Sequence, residues 1–411
     1  MKKRDVAITG LGVISPVGQS VPEAIESLRG GVSGIRLHHA SPIARGLPAG
    51  IVEGTFDHLF PEKNELYYLD RCQQMAILAA RQAIHQAGFD DFSEYGQRAG
   101  LYYGNVNGGT ASGQDWFTRL LVERHDVARA PTALRIMGNA GAAQISIRHK
   151  IGGPVISNHS ACASSGVSIG EAARAIADGY LDVAVAGGAE APLTAVVMGS
   201  FLGLRALAPV DPVDPTTSCR PFSKSRSGLV MGEGSAFLML EEGESARRRG
   251  ARIFGYLTGY GISSDAHSIG MPASPGQIAA LRAALADAGL VPDQIGYINA
   301  HATATRGGDE IEADSIKAVF GEQTPPVSST KSVHGHLLGA TSALECLLTV
   351  LALNERLLPA SAHLGEPDED CRLNHVGERP RQVDDLQHVL SFSCGFGGTN
   401  AALVISTQPK H

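Results

Sequence analysis

Two segments that lie far apart in the chain have the same order of elements, and this repetition constrains the fold more than any other feature. In the first, a β-branched strand at 155–157 leads through a turn of small residues, which contains Cys162, into a helix. In the second, a strand at 326–329 leads through a turn that contains His336 into another helix. We therefore predict two topologically similar halves that divide near residue 250 and pack face to face, so that the two helix starts meet near the centre. Because no short period repeats along the chain, a solenoid is excluded.

Short β-branched runs alternate with alanine-rich stretches whose apolar residues recur every three or four positions. Strands are predicted at 6–9, 154–157, 182–186, 295–299 and 401–405, and helices at 68–87, 166–178, 276–288 and 341–355. Such alternation is typical of an α/β architecture with buried strands. Residues 1–250 would form the half that carries Cys162, and residues 251–411 the half that carries His301 and His336.

Composition excludes several classes of protein. Of the 411 residues, 43% are hydrophobic and 18% are charged, so the chain can bury a large core and is not intrinsically disordered. The net charge is −7 and no basic block is longer than three residues, which argues against nucleic acid as a partner. We find no apolar run of the roughly 18 residues that a membrane helix needs, and the glycine-broken N-terminal stretch 6–12 indicates a strand and turn rather than a signal peptide. Six cysteines without a CxxC pair predict a reducing compartment, so we expect a cytoplasmic protein without a disulfide framework or zinc site.

Cys162 is a candidate nucleophile, because it lies between a strand and the start of a helix. The free N–H groups and positive dipole end of a helix start favour a thiolate, and small neighbours leave room for a substrate carbonyl. The alternative is a buried structural cysteine, which is the commoner role of a free thiol.

Two histidines are candidate hydrogen-bond donors. His301 follows the strand at 295–299, at the end where α/β proteins place working side chains, although it could equally be a loop histidine. His336 begins the second helix, where the dipole favours a neutral ring that donates one N–H. Lys331 and Glu345 flank His336 in sequence, and we expect them to form a structural ion pair.

A glycine-rich loop at 393–400 precedes the last strand. Consecutive glycines allow backbone N–H groups to converge, as an oxyanion hole requires. The loop lacks the phosphate-binding pattern GxxxxGK[ST], and no strand–GxGxxG–helix unit is found elsewhere, so nucleotide binding is not supported.

Taken together, these motifs resemble those of the elongating 3-oxoacyl-[acyl-carrier-protein] synthases, the KAS I/KAS II-type condensing enzymes. The resemblance covers nearly the whole chain. It rests on VAITGLGVISPVG (6–18), ACASSG (161–166), RPFSKSRSGLVMGEG (220–234), NAHATAT (299–305), STKSVHGHLLGA (329–340) and GFGGTN (395–400).

The resemblance implies the thiolase fold, a five-layered α-β-α-β-α sandwich of two similar halves, and an obligate dimer. It assigns a catalytic triad to Cys162, His301 and His336. Cys162 would accept an acyl group from an acyl carrier protein, and malonyl-carrier protein would then lose carbon dioxide and condense with it. The two histidines would stabilise the enolate, and the N–H groups of Cys162 and Phe396 would form the oxyanion hole.

Further site residues are also implied only by the resemblance. Thr303 and Thr305 match residues that bind the phosphopantetheine arm, Phe396 matches a gating aromatic, and Phe201 matches a wall of the acyl pocket. No metal at the catalytic centre and no redox cofactor are implied, but a structural monovalent cation is a family feature. It would lie near Asn299, Glu345 and Ser391.

Three positions depart from the family pattern. His334 stands where relatives usually have a small residue, Cys394 replaces an aromatic residue, and Asn107 occupies a site that is usually apolar in the acyl tunnel. Because a buried amide without a partner costs free energy, Asn107 favours a polar, unsaturated or short growing chain. We therefore hypothesise type II polyketide or polyene assembly rather than housekeeping fatty acid elongation of the KAS II kind.

The alternatives differ in their active-site residues. A thiolase would use a second cysteine, and Cys394 is one only superficially, since His336 and the GGTN sequence fit elongating synthases better. A KAS III-type initiator would have asparagine in place of His336. A non-catalytic chain-length factor would lack Cys162, but the chain could be the catalytic subunit of a heterodimer with such a factor, or a homodimer.

Overall fold

The computed structural model describes residues 3–43, 45–60 and 63–410. Its strands are β1 (Val6–Ile14), β2 (Ile35–His38), β3 (Leu47–Gly50), β4 (Ala99–Gly104), β5 (Val155–Asn158), β6 (Val183–Glu190), β7 (Met231–Gly232), β8 (Gly234–Glu242), β9 (Gly255–Ser264), β10 (Tyr297–Asn299), β11 (Val327–Ser328), β12 (Leu357–Leu358), β13 (Arg381–Gln382), β14 (His388–Cys394) and β15 (Thr399–Ser406). Its helices are α1 (Val21–Gly30), α2 (Lys63–Leu66), α3 (Arg71–Gln86), α4 (Thr110–Leu121), α5 (Thr132–Ile136), α6 (Ala140–His149), α7 (Ser164–Ala177), α8 (Ala195–Gly203), α9 (Gly243–Arg248), α10 (Ser274–Ala288), α11 (Arg306–Phe320), α12 (Lys331–His334) and α13 (Thr341–Glu355).

The main sheet repeats one topology twice. Its first half has the strand order β1-β8-β6-β4-β5 and its second half the order β9-β15-β14-β10-β11. In each half the first two pairings are antiparallel and the last two are parallel. Two residue pairs between β1 and β9 join the halves into ten strands within the described part of the chain. The predicted division near residue 250 falls between α9 and β9, and as a domain boundary it stays a prediction.

Helices lie on both faces of each half-sheet and form the predicted five layers. On one outer face, α3 packs on β1, β8 and β6, and on the other, α10 packs on β9 and β15. Between them α7 and α13 pack on each other, and each also contacts strands of both halves. The α/β fold class and the duplicated architecture are therefore confirmed, and the starts of α7 and α13 meet in the middle layer.

The central helix is more apolar than the sequence analysis recognised. In the described chain, one helical segment, Leu338–Glu355, is long and apolar enough to cross a membrane by length and composition, with a mean hydropathy of 1.2. Our expectation that no such run exists was wrong on that criterion. The segment is 89% buried inside the protein, because α13 is enclosed between the two half-sheets, so it is a core helix.

Strand β1 runs past the turn that was predicted after residue 9. Its glycines do not break it, because Gly10 and Gly12 face α3 at very short range. A Cβ at these positions would lie 2.0 Å from the carbonyl oxygen of Ala83 and 1.9 Å from that of Ala79. The glycines therefore allow helix and strand to approach closely.

Strand β5 departs from the prediction of buried strands. It lies at the end of the main sheet, and Val155 and Ile156 are 39% and 45% exposed. The sequence of an apolar edge strand looks like that of a buried one, because the pattern does not show whether a neighbour is present.

Candidate active site

Cys162 is held at a tight turn between β5 and α7. The preceding residue, Ala161, has a φ of +49°, a left-handed conformation that side chains other than glycine rarely adopt. The hydroxyl of Ser164 donates to the carbonyl oxygen of Ala161 at 2.6 Å and stabilises the turn. The turn presents Cys162 at the start of α7 with only 7% of its surface exposed.

The two predicted histidines converge on Cys162 from the other half of the chain. The Cys162 sulfur and the ring nitrogens of His301 and His336 lie within 4.8 Å of one another, and all three residues are buried or nearly so. The centroids of the two rings are 5.4 Å apart, and the rings are nearly perpendicular at 83°. Three side chains that are up to 174 positions apart in sequence (336 − 162) thus form one cluster.

Both rings are neutral. Burial lowers the pKa of His301 and of His336 well below the usual value, and the positive charge of Lys331 acts in the same direction. The ammonium of Lys331 lies 3.4 Å from Nδ1 of His301. Since an ammonium group only donates, Nδ1 accepts and the ring proton of His301 is on Nε2. Nδ1 of His336 lies 2.8 Å from the hydroxyl of Thr341, which can donate to it and leave the proton on Nε2 there as well.

The pKa of the Cys162 thiol differs from the prediction. The helix start was expected to favour the thiolate, but burial raises the pKa of Cys162 to about 11. Lys331 and the N–H groups of Phe396 and of Cys162 itself act in the opposite direction without cancelling the desolvation. The resting residue is therefore a thiol at neutral pH, with the predicted oxyanion-hole donors close to its sulfur.

Lys331 and Glu345 form a fully buried ion pair, with Nζ and Oε1 2.5 Å apart. Burial raises the pKa of Glu345 to about 7, although Lys331 lowers it. The second carboxylate oxygen, Oε2, has no hydrogen-bond partner among the described residues. Asn299 and Ser391, which are also buried, pair with each other across β10 and β14, and the Asn299 amide lies 3.4 Å from the backbone oxygen of Glu345.

The cluster of Cys162, His301 and His336 could also hold a metal ion by geometry. One sulfur and two imidazole nitrogens within 4.8 Å are ligands that Zn²⁺ accepts. The buried ammonium of Lys331 beside His301 opposes a second cation there by charge repulsion.

Carboxylates of α11 hold the loop that carries His301. Glu312 accepts from the backbone N–H of His301 at 2.6 Å, and Asp309 accepts from that of Thr303 at 3.0 Å. The hydroxyls of Thr303 and Thr305 lie 3.0 Å apart, and both residues are partly buried. The loop is thus fixed by its backbone, and the two threonines form a hydroxyl pair beside His301.

Phe396 belongs to the glycine-rich loop at 393–400, and its ring stacks on that of Phe201. The ring centroids are 6.2 Å apart with an angle of 18°, and Phe396 is 45% exposed. The two predicted pocket aromatics are therefore in contact, one of them at the surface.

Models of two protein families match consecutive parts of the chain. The N-terminal domain of beta-ketoacyl synthase matches residues 3–246, and the C-terminal domain matches residues 254–365. The chain belongs to the beta-ketoacyl synthase family. It is therefore an acyltransferase-type condensing enzyme.

Two known proteins are similar to this synthase over nearly the whole chain. It is 38% identical to nodulation protein E of Rhizobium leguminosarum bv. trifolii over 97% of this chain and 98% of that protein. It is 36% identical to 3-oxoacyl-[acyl-carrier-protein] synthase 2 of Vibrio cholerae over 98% of this chain and 99% of that protein.

Two solved structures have the same fold as this synthase. The ishigamide ketosynthase/chain length factor superposes with a TM-score of 0.92 at 32% identity, over 99% of this chain and 100% of that one. A type II PKS acyl-carrier protein in complex with its ketosynthase, AntDE:AntF, gives a TM-score of 0.89 at 26% identity, with coverage of 99% and 100%.

The synthase also has a residue at the site that the sequence analysis missed. Glu190, at the end of β6, is completely buried and accepts from the backbone N–H groups of Val106, Asn107 and Gly339 at 2.7, 3.0 and 3.3 Å. It therefore links a loop of the first half to a turn of the second. Burial raises its pKa to about 7, and its charge raises the pKa of Cys162. The sequence signal for this residue was a glutamate that directly follows a run of small apolar strand residues.

Asn107 is not buried as the sequence predicts. Its side chain is exposed in this chain, and its backbone N–H is bound by Glu190. The premise of a buried, unpaired amide was therefore wrong for this chain, because the loop places the residue outside the described core.

Proposed function

We propose that this synthase extends an acyl chain by two carbons through decarboxylative condensation of malonyl-carrier protein with an acyl group on Cys162. The observation that carries the proposal is the meeting of one thiol and two neutral imidazoles in a buried cluster. A neutral imidazole can donate to a developing enolate without protonating it, which is the task that decarboxylation sets.

In the first step, the Cys162 sulfur attacks the carbonyl carbon of an acyl thioester. The N–H groups of Cys162 and Phe396 stabilise the oxyanion that forms, as their position near the sulfur supports. The carbon–sulfur bond to the phosphopantetheine arm then breaks, and the thiol proton leaves with that arm's sulfur. Because the resting thiol has a raised pKa, proton loss is coupled to attack rather than completed before it.

In the second step, the malonyl carboxylate leaves as carbon dioxide and its bonding pair forms an enolate. Nε2–H of His301 and of His336 donates to the thioester oxygen that carries the charge. The enolate carbon then attacks the acyl carbonyl on Cys162, a carbon–carbon bond forms, and the Cys162 sulfur leaves and recovers a proton. The hydroxyls of Thr303 and Thr305 are suitable donors for the amide groups of the arm.

The ion-pair region suits the monovalent cation that the resemblance implied. A buried carboxylate oxygen without a partner, Oε2 of Glu345, supports such a site, with Asn299 and Ser391 next to it. A bound cation would neutralise the charge on this oxygen. It would also hold the Glu345 carboxylate, and with it its partner Lys331, in a fixed position. Its contribution would be structural, since Cys162 and the histidines account for the chemistry.

We propose that the synthase acts as a dimer in the cytoplasm, with a second copy or with a homologous subunit, and takes its substrates from an acyl carrier protein. The outer edge of β5 and the helix α4 expose apolar side chains, among them Ile156, Phe117 and Leu121, which a second subunit would cover. A ketosynthase with its chain length factor, and one with its carrier protein, support the two kinds of partner.

We propose a specialised acyl or polyketide pathway as the setting. The likeness to nodulation protein E and to the ishigamide ketosynthase supports it. The likeness to 3-oxoacyl-[acyl-carrier-protein] synthase 2 supports the alternative, which is housekeeping fatty acid elongation.

Intact-mass measurement after incubation with a panel of acyl-carrier proteins tests both the assignment of Cys162 as nucleophile and the proposed pathway. Acyl adducts should form on the wild type and vanish in Cys162→Ala, and the relative yields would rank chain length and polarity. A clear preference for long saturated chains would select the housekeeping alternative. Adducts that persist in Cys162→Ala would contradict the assignment of the nucleophile.

A further inference from the structure

His334, two residues before His336, is fully buried at the end of α12 and makes two hydrogen bonds. Its Nδ1 lies 2.7 Å from the carbonyl oxygen of Gly335, and its Nε2 lies 3.0 Å from the hydroxyl of Thr330. Burial lowers the pKa of His334 to about 3, so the ring is neutral at physiological pH. Each of its nitrogens has one partner inside the protein.

These two contacts fix the tautomer of the ring. A carbonyl oxygen only accepts, so Nδ1 of His334 carries the proton and donates it to Gly335. Nε2 then has only a lone pair, and it accepts from the Thr330 hydroxyl. A threonine at position 334 could not span both partners, since it carries a single hydroxyl on a short side chain.

The peptide between Gly335 and His336 is thereby held at both ends. Its carbonyl oxygen accepts from His334, and its N–H, which belongs to His336, donates to the carbonyl oxygen of Val230 at 2.6 Å. Gly335 has a φ of +72°, which a residue with a side chain would adopt only under strain. The backbone that aims His336 is therefore clamped by the ring of His334 on one side and by Val230 on the other.

The His336 side chain has one further anchor, the hydroxyl of Thr341 at Nδ1. Between that anchor and the clamped peptide, only Nε2 is left to face Cys162 and His301. We propose that His334 is a positioning residue that holds His336 in the orientation needed to donate to the enolate. This inference rests on the proposed function, because it gives His336 a role in decarboxylation.

Three substitutions separate the two contacts of the ring. His334→Asn places an N–H donor near the position of Nδ1 but cannot reach Thr330. His334→Gln reaches toward Thr330 but loses the donor to Gly335. His334→Thr removes both. The matched control is His149, a buried histidine outside the cluster whose Nδ1 likewise lies 3.1 Å from a backbone carbonyl, that of Asp90.

The two half-reactions give a readout that a purely structural role would not produce. We expect His334→Gln and His334→Thr to slow the decarboxylation of malonyl-carrier protein about tenfold, while acylation of Cys162 changes less than about twofold. His334→Asn should retain decarboxylation within about threefold, and His149→Asn and His149→Gln should leave both rates unchanged. Equal decarboxylation in all four His334 forms, or a parallel loss of acylation, would overturn the inference.

A measurement on the wild type keeps the test independent of variant folding. With ¹⁵N-labelled histidine rings, the His334 signals, assigned by their loss in His334→Asn, should show a protonated Nδ1 and a bare Nε2. The reverse tautomer would overturn the clamp. If instead the wild type fails to decarboxylate malonyl-carrier protein and His336→Ala changes nothing, the proposed function fails, and this is distinguishable from failure of the His334 inference.

Discussion

Ser165 and Ser342 cap each other's helices at the centre of the molecule. Their hydroxyl oxygens lie 2.9 Å apart. Oγ of Ser342 accepts from the backbone N–H of Gly166 in α7 at 2.7 Å, and Oγ of Ser165 accepts from that of Ala343 in α13 at 2.8 Å. The exchange is reciprocal because Ser165 and Ser342 hold the same place, the second residue, in α7 and α13. It joins the turn that presents Cys162 to the helix that follows His336.

The contributions of Ser165 and Ser342 to stability should be strongly coupled. We expect Ser165→Ala and Ser342→Ala each to lower the free energy of unfolding by about 1–2 kcal/mol, because each leaves a buried N–H without its acceptor. The double variant should cost less than the sum, since the shared hydroxyl contact is lost only once. Denaturant unfolding of the four proteins measures the coupling. Ser315→Ala is the control, a buried serine in α11 whose hydroxyl contacts Ile311 in its own helix and Ser274 in α10, away from the cap. Strict additivity would contradict a reciprocal cap.

Replacing only Lys331 of the buried Lys331–Glu345 ion pair should destabilise the protein more than replacing both residues. Lys331→Met leaves the Glu345 carboxylate buried without its partner, and we expect a loss of about 3–5 kcal/mol of stability. The double variant Lys331→Met/Glu345→Gln should recover most of this loss. It should still decarboxylate slowly, because His301 then lacks the ammonium that fixes its Nε2–H tautomer.

Thermal unfolding and decarboxylation rates of these variants separate the two roles of Lys331. Arg249→Met is the matched control, since Arg249 pairs with the buried Glu241 away from the cluster. It should cost stability without a specific loss of decarboxylation. Full recovery of decarboxylation in the double variant would contradict the role in the tautomer of His301.

Alkylation of Cys162 should report its raised pKa directly. Because the thiolate is the reactive form, the rate with iodoacetamide should rise about tenfold per pH unit between pH 7 and 10, without a plateau. Mass spectrometry after timed quenching locates the adduct, and Cys162→Ala gives the background from the other cysteines. A plateau near pH 7 would show instead that the helix start outweighs desolvation.

The negative charge of Glu190 should slow the alkylation of Cys162 by iodoacetamide. Glu190→Gln keeps an acceptor for the backbone N–H groups but removes a cause that raises the pKa of Cys162. We expect alkylation to become about threefold faster above pH 7, where Glu190 is ionised. Below pH 7 the difference should shrink, because the wild-type carboxyl is then protonated. Glu241→Gln is the control, and an acceleration that is equal at pH 6 and pH 9 would contradict a charge effect.

The sequence predicted the duplicated fold because that fold rests on local order, and the assignment of Cys162, His301 and His336 as a triad came from the family motifs. A strand, a small-residue turn and an apolar helix can be read twice, and Cys162 and His336 lie in the segments between strand and helix. The close approach of β1 to α3 was missed because glycines such as Gly10 suit a turn as well as a packed strand. The protonation of Cys162 was misjudged because a helix start is visible in sequence while desolvation depends on the whole surrounding fold. Glu190 was missed and the burial of Asn107 was misjudged for the same reason, since burial at the ends of strands is set by the loops of both halves.

The strained turn before Cys162 has a counterpart that carries no nucleophile. Leu338, three residues before Thr341 in the second half as Ala161 is three before Ser164 in the first, has a φ of +47° against +49°. The position that matches Cys162 is Gly339, whose N–H donates to Glu190. The left-handed elbow is therefore common to both halves, and the second half has it without a thiol at the matching position. The backbone strain therefore belongs to the strand–turn–helix unit that the chain repeats, and it does not by itself mark a catalytic position.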